Sequence, residues 1–233
     1  MKVTFRCPPE LFDILPRPVP AKDGLPEWLR AMPAEAPVAE LGAAVRTLKH
    51  CPPFLDAMRT GFLMPLAADV RVEGGAFSWD WDLPRTALGR TTRSPLSFHH
   101  AEQALGSPLH DPERVFLKFN NLWTIALEPG WSLLVTHPIN RADLPFQTLT
   151  GLVDADRYGD GVIHFPARWV DAGFEGVLAR GTPVAQCIPV RREALEMAFA
   201  PLEGAAATRF AEVKDALAAE PGVYRKRYRA ARS

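Results

Sequence analysis

Residues 131–192 constrain the fold most, because short apolar runs alternate there with turn material at close intervals. WSLLVT, FQTLTGLV and VAQCIPV are rich in Val, Leu, Ile and Phe, and segments built from Pro, Gly, Asn and Asp separate them. Apolar runs of roughly four to eight residues bounded by such turns are strand signals. Strands this short and frequent favour a barrel, a sandwich or a folded antiparallel sheet over alternating α/β layers.

The rest of the chain is arranged around that core. Residues 3–7 read as a short opening strand stopped by Pro8 and Pro9. Beyond it Pro16, Pro18, Pro20, Pro26, Pro33 and Pro37 each remove an amide donor and fix their own φ. Residues 1–51 therefore read as an irregular arm packed on the core, anchored by Leu25, Trp28 and Leu29. Residues 52–60 read as a helix with proline in its first turn and Gly61 at its end. A hairpin follows, with Gly74 and Gly75 at the turn and Phe77, Trp79 and Trp81 on one face of the returning strand. Those aromatics are core side chains or a ligand-stacking wall.

Residues 84–112 are rich in turns, with Pro84, Gly89, Pro95, Gly106, Pro108 and Pro112, and they hold His99, His100 and His110. An irregular stretch this long is a functional loop or conceals an element. Strands are expected over 115–119 and 122–126, as a pair or as one strand bent at a bulge. Further strands are expected over 131–136, 146–153, 162–165, 174–177 and 184–190. After residue 192 the pattern changes: 192–198 is helix-compatible, and 205–219 has Phe210, Val213 and Leu217 at helical spacing. The last residues carry Arg225, Lys226, Arg227, Arg229 and Arg232, and read as a solvated tail in preference to a nucleic-acid docking element. Three segments result: the arm over 1–51, a β-rich core over 52–192, and a C-terminal helical extension with a basic tail over 193–233.

The 233 residues carry 27 basic and 27 acidic side chains, for a formal charge of zero. Broad electrostatic capture of nucleic acid or of an anionic membrane is not expected from that balance. No run approaches the roughly 20 apolar residues of a membrane span. Cys7, Cys51 and Cys187 are widely spaced and odd in number, which fits a reduced, cytoplasmic setting without a disulfide framework. Cys187 reads as packed, and His50 beside Cys51 is a weak signal for thiol chemistry.

The densest polar grouping comprises His137, Asn140, Arg141 and Asp143, then Asp154, Asp156, Arg157, Tyr158 and Asp160, then His164. Arginine with carboxylates at strand ends is suited to orienting an anionic or polar ligand. The same residues would also serve as turn caps and internal ion pairs. A second chemistry is a divalent metal such as Fe, Mn or Zn held by His99, His100, His137 and His164 with Asp154 or Asp156. No Walker loop, dinucleotide fingerprint, zincin motif or nucleophile elbow is present.

Several segments, KHCPPFLDAM, GGAFSWDW, FNNLWTI, THPINRADLPF, GLVDADRY and FEGVLARGTPVAQCIP, resemble a family found in bacteria and their phages for which no activity is established. More remotely, Gly151, Val153, Asp154, Tyr158 and Gly159, followed by Gly181, Val184, Ala185 and Gln186, resemble two motifs of the dUTPase and dCTP deaminase superfamily. That resemblance implies a β-clip fold, with Asp154 as the site carboxylate and Tyr158 beside a sugar. Tyr158 stands one residue late for the motif, and neither the superfamily's P-R-S-G-type phosphate segment nor its glycine-rich C-terminal motif is found.

The expectation is a small-molecule enzyme or binding protein for a nucleotide-like substrate. Asp154, Arg141 and His137 would act on the ligand, and Tyr158, Asn140, Asp156 and Arg157 would bind it. Asp154 would position water and Arg141 would offset negative charge. The alternatives are a non-catalytic structural or assembly protein and a metal-dependent enzyme. A homo-oligomer is expected because exposed sheet edges need covering.

Overall fold

The computed structural model describes residues 1–81, 83–88 and 92–231. Gly89 and Arg232, which figured in the turn-rich stretch and the basic tail, lie outside the described residues.

Short apolar runs become antiparallel sheet: every named strand pair among the described residues is antiparallel. In chain order the strands are β1 (Thr4–Arg6), β2 (Val19–Pro20), β3 (Glu35–Val38), β4 (Ala43–Arg46), β5 (Phe62–Pro65), β6 (Val70–Glu73), β7 (Ala76–Ser78) and β8 (Leu96–His99). They continue with β9 (Phe116–Phe119), β10 (Thr124–Ala126), β11 (Trp131–Thr136), β12 (Phe146–Thr148), β13 (Gly151–Val153), β14 (Phe165–Trp169), β15 (Gly176–Leu178) and β16 (Pro183–Arg191). The helices are α1 (Glu27–Ala31), α2 (Pro52–Arg59) and α3 (Gly204–Ala219). The strands form a mainly β structure of several antiparallel sheets, with β13-β11-β16-β5-β2, β12-β14-β9-β8 and β15-β6-β7 as the larger ones.

The chain divides into two compact units, one of residues 1–32 with 56–192 and one of residues 33–55 with 193–233. The segment expected as a single arm over 1–51 is therefore shared between them.

In the first unit one apolar cluster joins the three larger sheets. It contains Met64, Leu133, Val135 and Cys187 from one sheet, Leu117, Phe119, Phe146 and Phe165 from the second, and Val70, Val72 and Leu178 from the third. Strand β14 alternates cleanly, with Phe165, Ala167 and Trp169 buried, whereas β16 buries Val184, Ala185, Gln186 and Cys187 in succession. A strand buried on both faces lies at the centre of its sheet, and β16 is flanked there by β11 and β5. Leu11, Leu15, Ala21 and Leu29 are the buried anchors of the N-terminal segment. Trp28 is half-buried, with its indole N–H donated to Asp143 Oδ1 at 3.2 Å.

Several local expectations change. The turn-rich stretch contains β8, which pairs with β9. The run over 146–153 is two strands in different sheets, since Leu149 and Thr150 carry the chain from β12 to β13. The hairpin strand ends at Ser78, so Trp79 and Trp81 pack on the core from the loop beyond it. The stretch expected as a strand over 162–165 forms only a bridge from Val162 to Thr124 before β14 begins. Residues 192–198 carry no helix. A segment that short lacks the length to stabilise a helix without a packing partner.

In the second unit β3 and β4 form a hairpin turned by Gly42 at φ +58°, and α3 buries none of its residues.

Gly61 ends α2 at φ +76°, and an added Cβ would stand 2.1 Å from the carbonyl oxygen of Cys187 on β16. Gly130 has a similar φ of +86° with open space around it. Gly130→Ala should therefore cost about 1 kcal/mol from left-handed backbone alone. Gly61→Ala adds a clash with a central strand and should cost about 3 kcal/mol or more. Urea unfolding of the two variants measures the difference.

Candidate functional site

Most of the polar residues singled out from the sequence fall into two clusters separated by the length of β11, with His164 apart from both against Asn121. Pairing of Leu133 with Val153 on one side, and of Ser132 with Val190 on the other, brings Asp154 and Arg192 to the beginning of β11. His137, Asn140, Arg141 and Asp143 follow its far end. Ser132 and His137 are five positions apart, or roughly 17 Å of extended chain.

At the first end Arg192 is the hub. Its Nη1 donates to Asp156 Oδ1 at 2.8 Å, to Asp154 Oδ1 at 3.2 Å, to Ser132 Oγ at 3.1 Å and to the Trp131 carbonyl at 3.1 Å. Its Nη2 donates to Asp156 Oδ2, which also accepts the Gly130 N–H at 2.9 Å. Ser132 is fully buried and donates its hydroxyl to Asp154 Oδ1 at 2.7 Å. The Arg192 guanidinium, aided by the Gly130 amide, holds the Asp156 carboxyl well below the usual carboxylate range against the opposing effect of desolvation. Arg192 was not among the expected site residues. Its carboxylate partners lie 36 and 38 positions earlier, and only the register of β11 with β16 brings them together.

Arg157 and Tyr158 are exposed in the turn that follows, where both amides donate to the Asp154 carbonyl at 2.9 Å. The Tyr158 ring lies against Gly161, where a Cβ would come within 2.3 Å of it. The ring thus packs on its own turn.

At the far end the His137 imidazole is fully engaged. Nε2 donates to the Arg141 carbonyl at 3.0 Å, and Nδ1 accepts the Thr148 N–H at 3.3 Å. Burial lowers the pKa of His137, with the nearby Arg141 charge acting in the same direction. Arg141 and Asp143 form a two-point ion pair, with Nε to Oδ1 and Nη2 to Oδ2 both at 2.8 Å. Only 13% of the Arg141 side chain is exposed. Asn140 turns the loop at φ +60°, a conformation its short amide side chain tolerates. Gln186 closes this end: its Oε1 accepts the Ile139 N–H, and its Nε2 donates to the carbonyls of Ala57 and Thr60.

The structure therefore joins Asp154 to Asp156, and His137 to Arg141, but places the two pairs at opposite ends of a strand. The histidines do not converge either. His99 donates Nδ1–H to Gln103 Oε1 at 2.9 Å, His100 follows the end of β8, and His164 Nδ1 accepts the Asn121 N–H at 3.1 Å. Burial and the Lys118 charge lower the pKa of His164. Among the described residues no three His, Cys, Asp or Glu side chains are grouped so as to hold a metal ion. Cys187 is buried, and burial drives its thiol pKa strongly upward. No helix among the described residues is long and apolar enough to cross a membrane. No family model matches the chain, and no curated protein matches it in sequence.

Two pH dependences follow. Because Asp156 has a lowered folded pKa, its contribution is complete above the ordinary value of 3.8 and fades as pH falls from there through the folded value. Asp156→Asn should be less stable than wild type at neutral pH, and that gap should narrow in acid. For His137 the unfolded chain takes the proton first, so stability should fall as pH drops below 6.5 toward the lowered folded value. His137→Gln should flatten that part of the curve. Urea midpoints across the pH range measure both effects.

Proposed function

We propose that the protein is a non-catalytic assembly protein that associates with further copies of itself through its C-terminal unit. The observation that carries this reading is the stretch over 193–203, where Leu195, Met197 and Phe199 are 85%, 72% and 92% exposed. The segment forms no strand by itself, and in an extended conformation those alternate positions would share one face. Pro201 removes an amide donor from any helix running through the segment. A strand carrying alternate apolar side chains is suited to joining a sheet edge of another chain, with backbone hydrogen bonds giving affinity and side-chain pockets giving register.

Magnitudes determine how much of the unit must take part. Burying a leucine, a methionine and a phenylalanine contributes roughly 5–8 kcal/mol. Association costs about 4–15 kcal/mol, so the three side chains alone hold no stable contact. The exposed Phe210 and Leu217 of α3 and Val45 of β4 supply further apolar surface in the same unit. The zero net charge puts no long-range repulsion between copies.

The competing enzyme reading has less support. Arg141 is paired with Asp143, and Asp154 faces Arg192, so the arginine expected to offset negative charge and the carboxylate expected to position water lie at opposite ends of β11.

Sedimentation over a concentration series tests the proposal. Wild type should shift to larger species as concentration rises, and Leu195→Ser, Met197→Ser and Phe199→Ser in one chain should keep it monomeric with an unchanged Tm. A monomer at every concentration, or an oligomer indifferent to the triple substitution, would overturn it.

A further inference from the structure

A depression in the first unit lies between the β6–β7 hairpin, residues 111–115 and residues 169–174, with a volume of about 330 Å³. Phe77, Trp169 and Phe174 line it. The Phe77 and Trp169 rings stand 4.9 Å apart at 85°, and those of Trp169 and Phe174 stand 5.6 Å apart at 79°. Rings set nearly at right angles make a corner, with Trp169 as its largely buried member. Asp111, Glu113 and Arg114 also line the depression.

The charges around this corner are unbalanced. Asp111 is committed: its Oδ2 accepts from Arg114 Nε at 2.8 Å and its Oδ1 accepts the Glu113 N–H at 3.1 Å. Arg114 is thereby held by a carboxylate. Among the described residues the Glu113 side chain makes no hydrogen bond or ion pair. Asp171 and Glu175 flank the aromatic residues in sequence, so segments 111–115 and 169–175 carry Asp111, Glu113, Asp171 and Glu175 against Arg114 alone.

We propose that this depression binds a small organic cation through its alkylammonium head group. Ring faces attract a cation through their quadrupole, and partial exclusion from water strengthens that attraction. The uncommitted Glu113 carboxylate supplies the counter-charge at the rim. A metal ion would need several oxygen or nitrogen ligands, and no such group is present among the described residues. An uncharged apolar ligand would gain nothing from the acidic rim. The volume is near the lower end of the roughly 300–1,000 Å³ usual for ligand pockets, which fits a head group with a short chain.

The head group is the same on a diffusible amine and on a modified lysine side chain, so the test separates these sources. Full-length protein is titrated by calorimetry with choline, with its neutral isostere 3,3-dimethylbutan-1-ol, and with Nα-acetyl-Nε-trimethyllysine amide. At least one cation should bind saturably and about tenfold more tightly than the isostere. The tighter of the two cations identifies the source. Glu113→Gln, an exposed change, should weaken binding several-fold without moving Tm, and Phe174→Leu should weaken it while keeping an apolar wall. Equal binding of cation and isostere, or no saturable binding by either cation, would overturn the proposal. Binding unaffected by Glu113→Gln would overturn it as well. The triple substitution at Leu195, Met197 and Phe199 should leave cation binding unchanged, so failure of self-association and failure of this site are distinguishable.

Discussion

The first unit depends on the two-sided pairing of β16. Four successive residues, Val184 to Cys187, are buried, so water is excluded from much of the strand and its polar backbone groups depend on partners within the fold. Strand β11 serves one side along residues 186–191, and β5 serves the other from Pro183 to Cys187. The position of Pro189 follows from this arrangement. Paired β5 ends opposite Cys187, so a residue without an amide donor falls where only β11 is a neighbour. Each end of the β11–β16 pair is then fixed by one side chain, Arg192 at one and Gln186 at the other.

That arrangement accounts for the polar cluster that dominates the sequence. A buried strand pair ending in turns leaves amides and carbonyls without ladder partners, and polar side chains nearby can satisfy them. Asp156 takes the Gly130 amide, Gln186 takes the Ile139 amide, and His137 takes the Thr148 amide while donating to the Arg141 carbonyl. Residue types that would suit catalysis are here occupied in closing the backbone. Composition alone could not distinguish those roles, because the same side chains serve both.

The sequence was legible where the physics is local. Alternating burial in β6, the helix stop at Gly61 and the Gly74-Gly75 turn all follow from residues within a few positions of one another. It was less legible where a choice is settled between distant segments. Residues 146–153 have continuous strand character, and only their partners, β14 and β11, divide them between two sheets. Strand β8 was hidden because prolines and glycines crowd its flanks, and its pairing with β9 is what fixes it. Arg192 closes a site whose other members, Ser132, Asp154 and Asp156, come 36 to 60 residues earlier, so no local spacing could single it out. The Trp169–Phe77 corner has the same origin, since strands from different sheets contribute its rings.

Function is better sought where groups remain uncommitted than where they are dense. A carboxylate held by an arginine and a backbone amide must surrender both before it can serve a ligand, and that loss competes directly with binding energy. Asp156 is in that position, and Arg141 is likewise bound to the Asp143 carboxylate. Glu113 and the apolar side chains of residues 195–199 are not: the carboxylate has no internal partner among the described residues, and the apolar groups remain exposed to water. Contacts made by these residues replace water rather than a native interaction, so more of the interaction energy remains for affinity. This difference favours the aromatic corner and the C-terminal segment over the turns at the two ends of β11 as the places where the molecule meets something else.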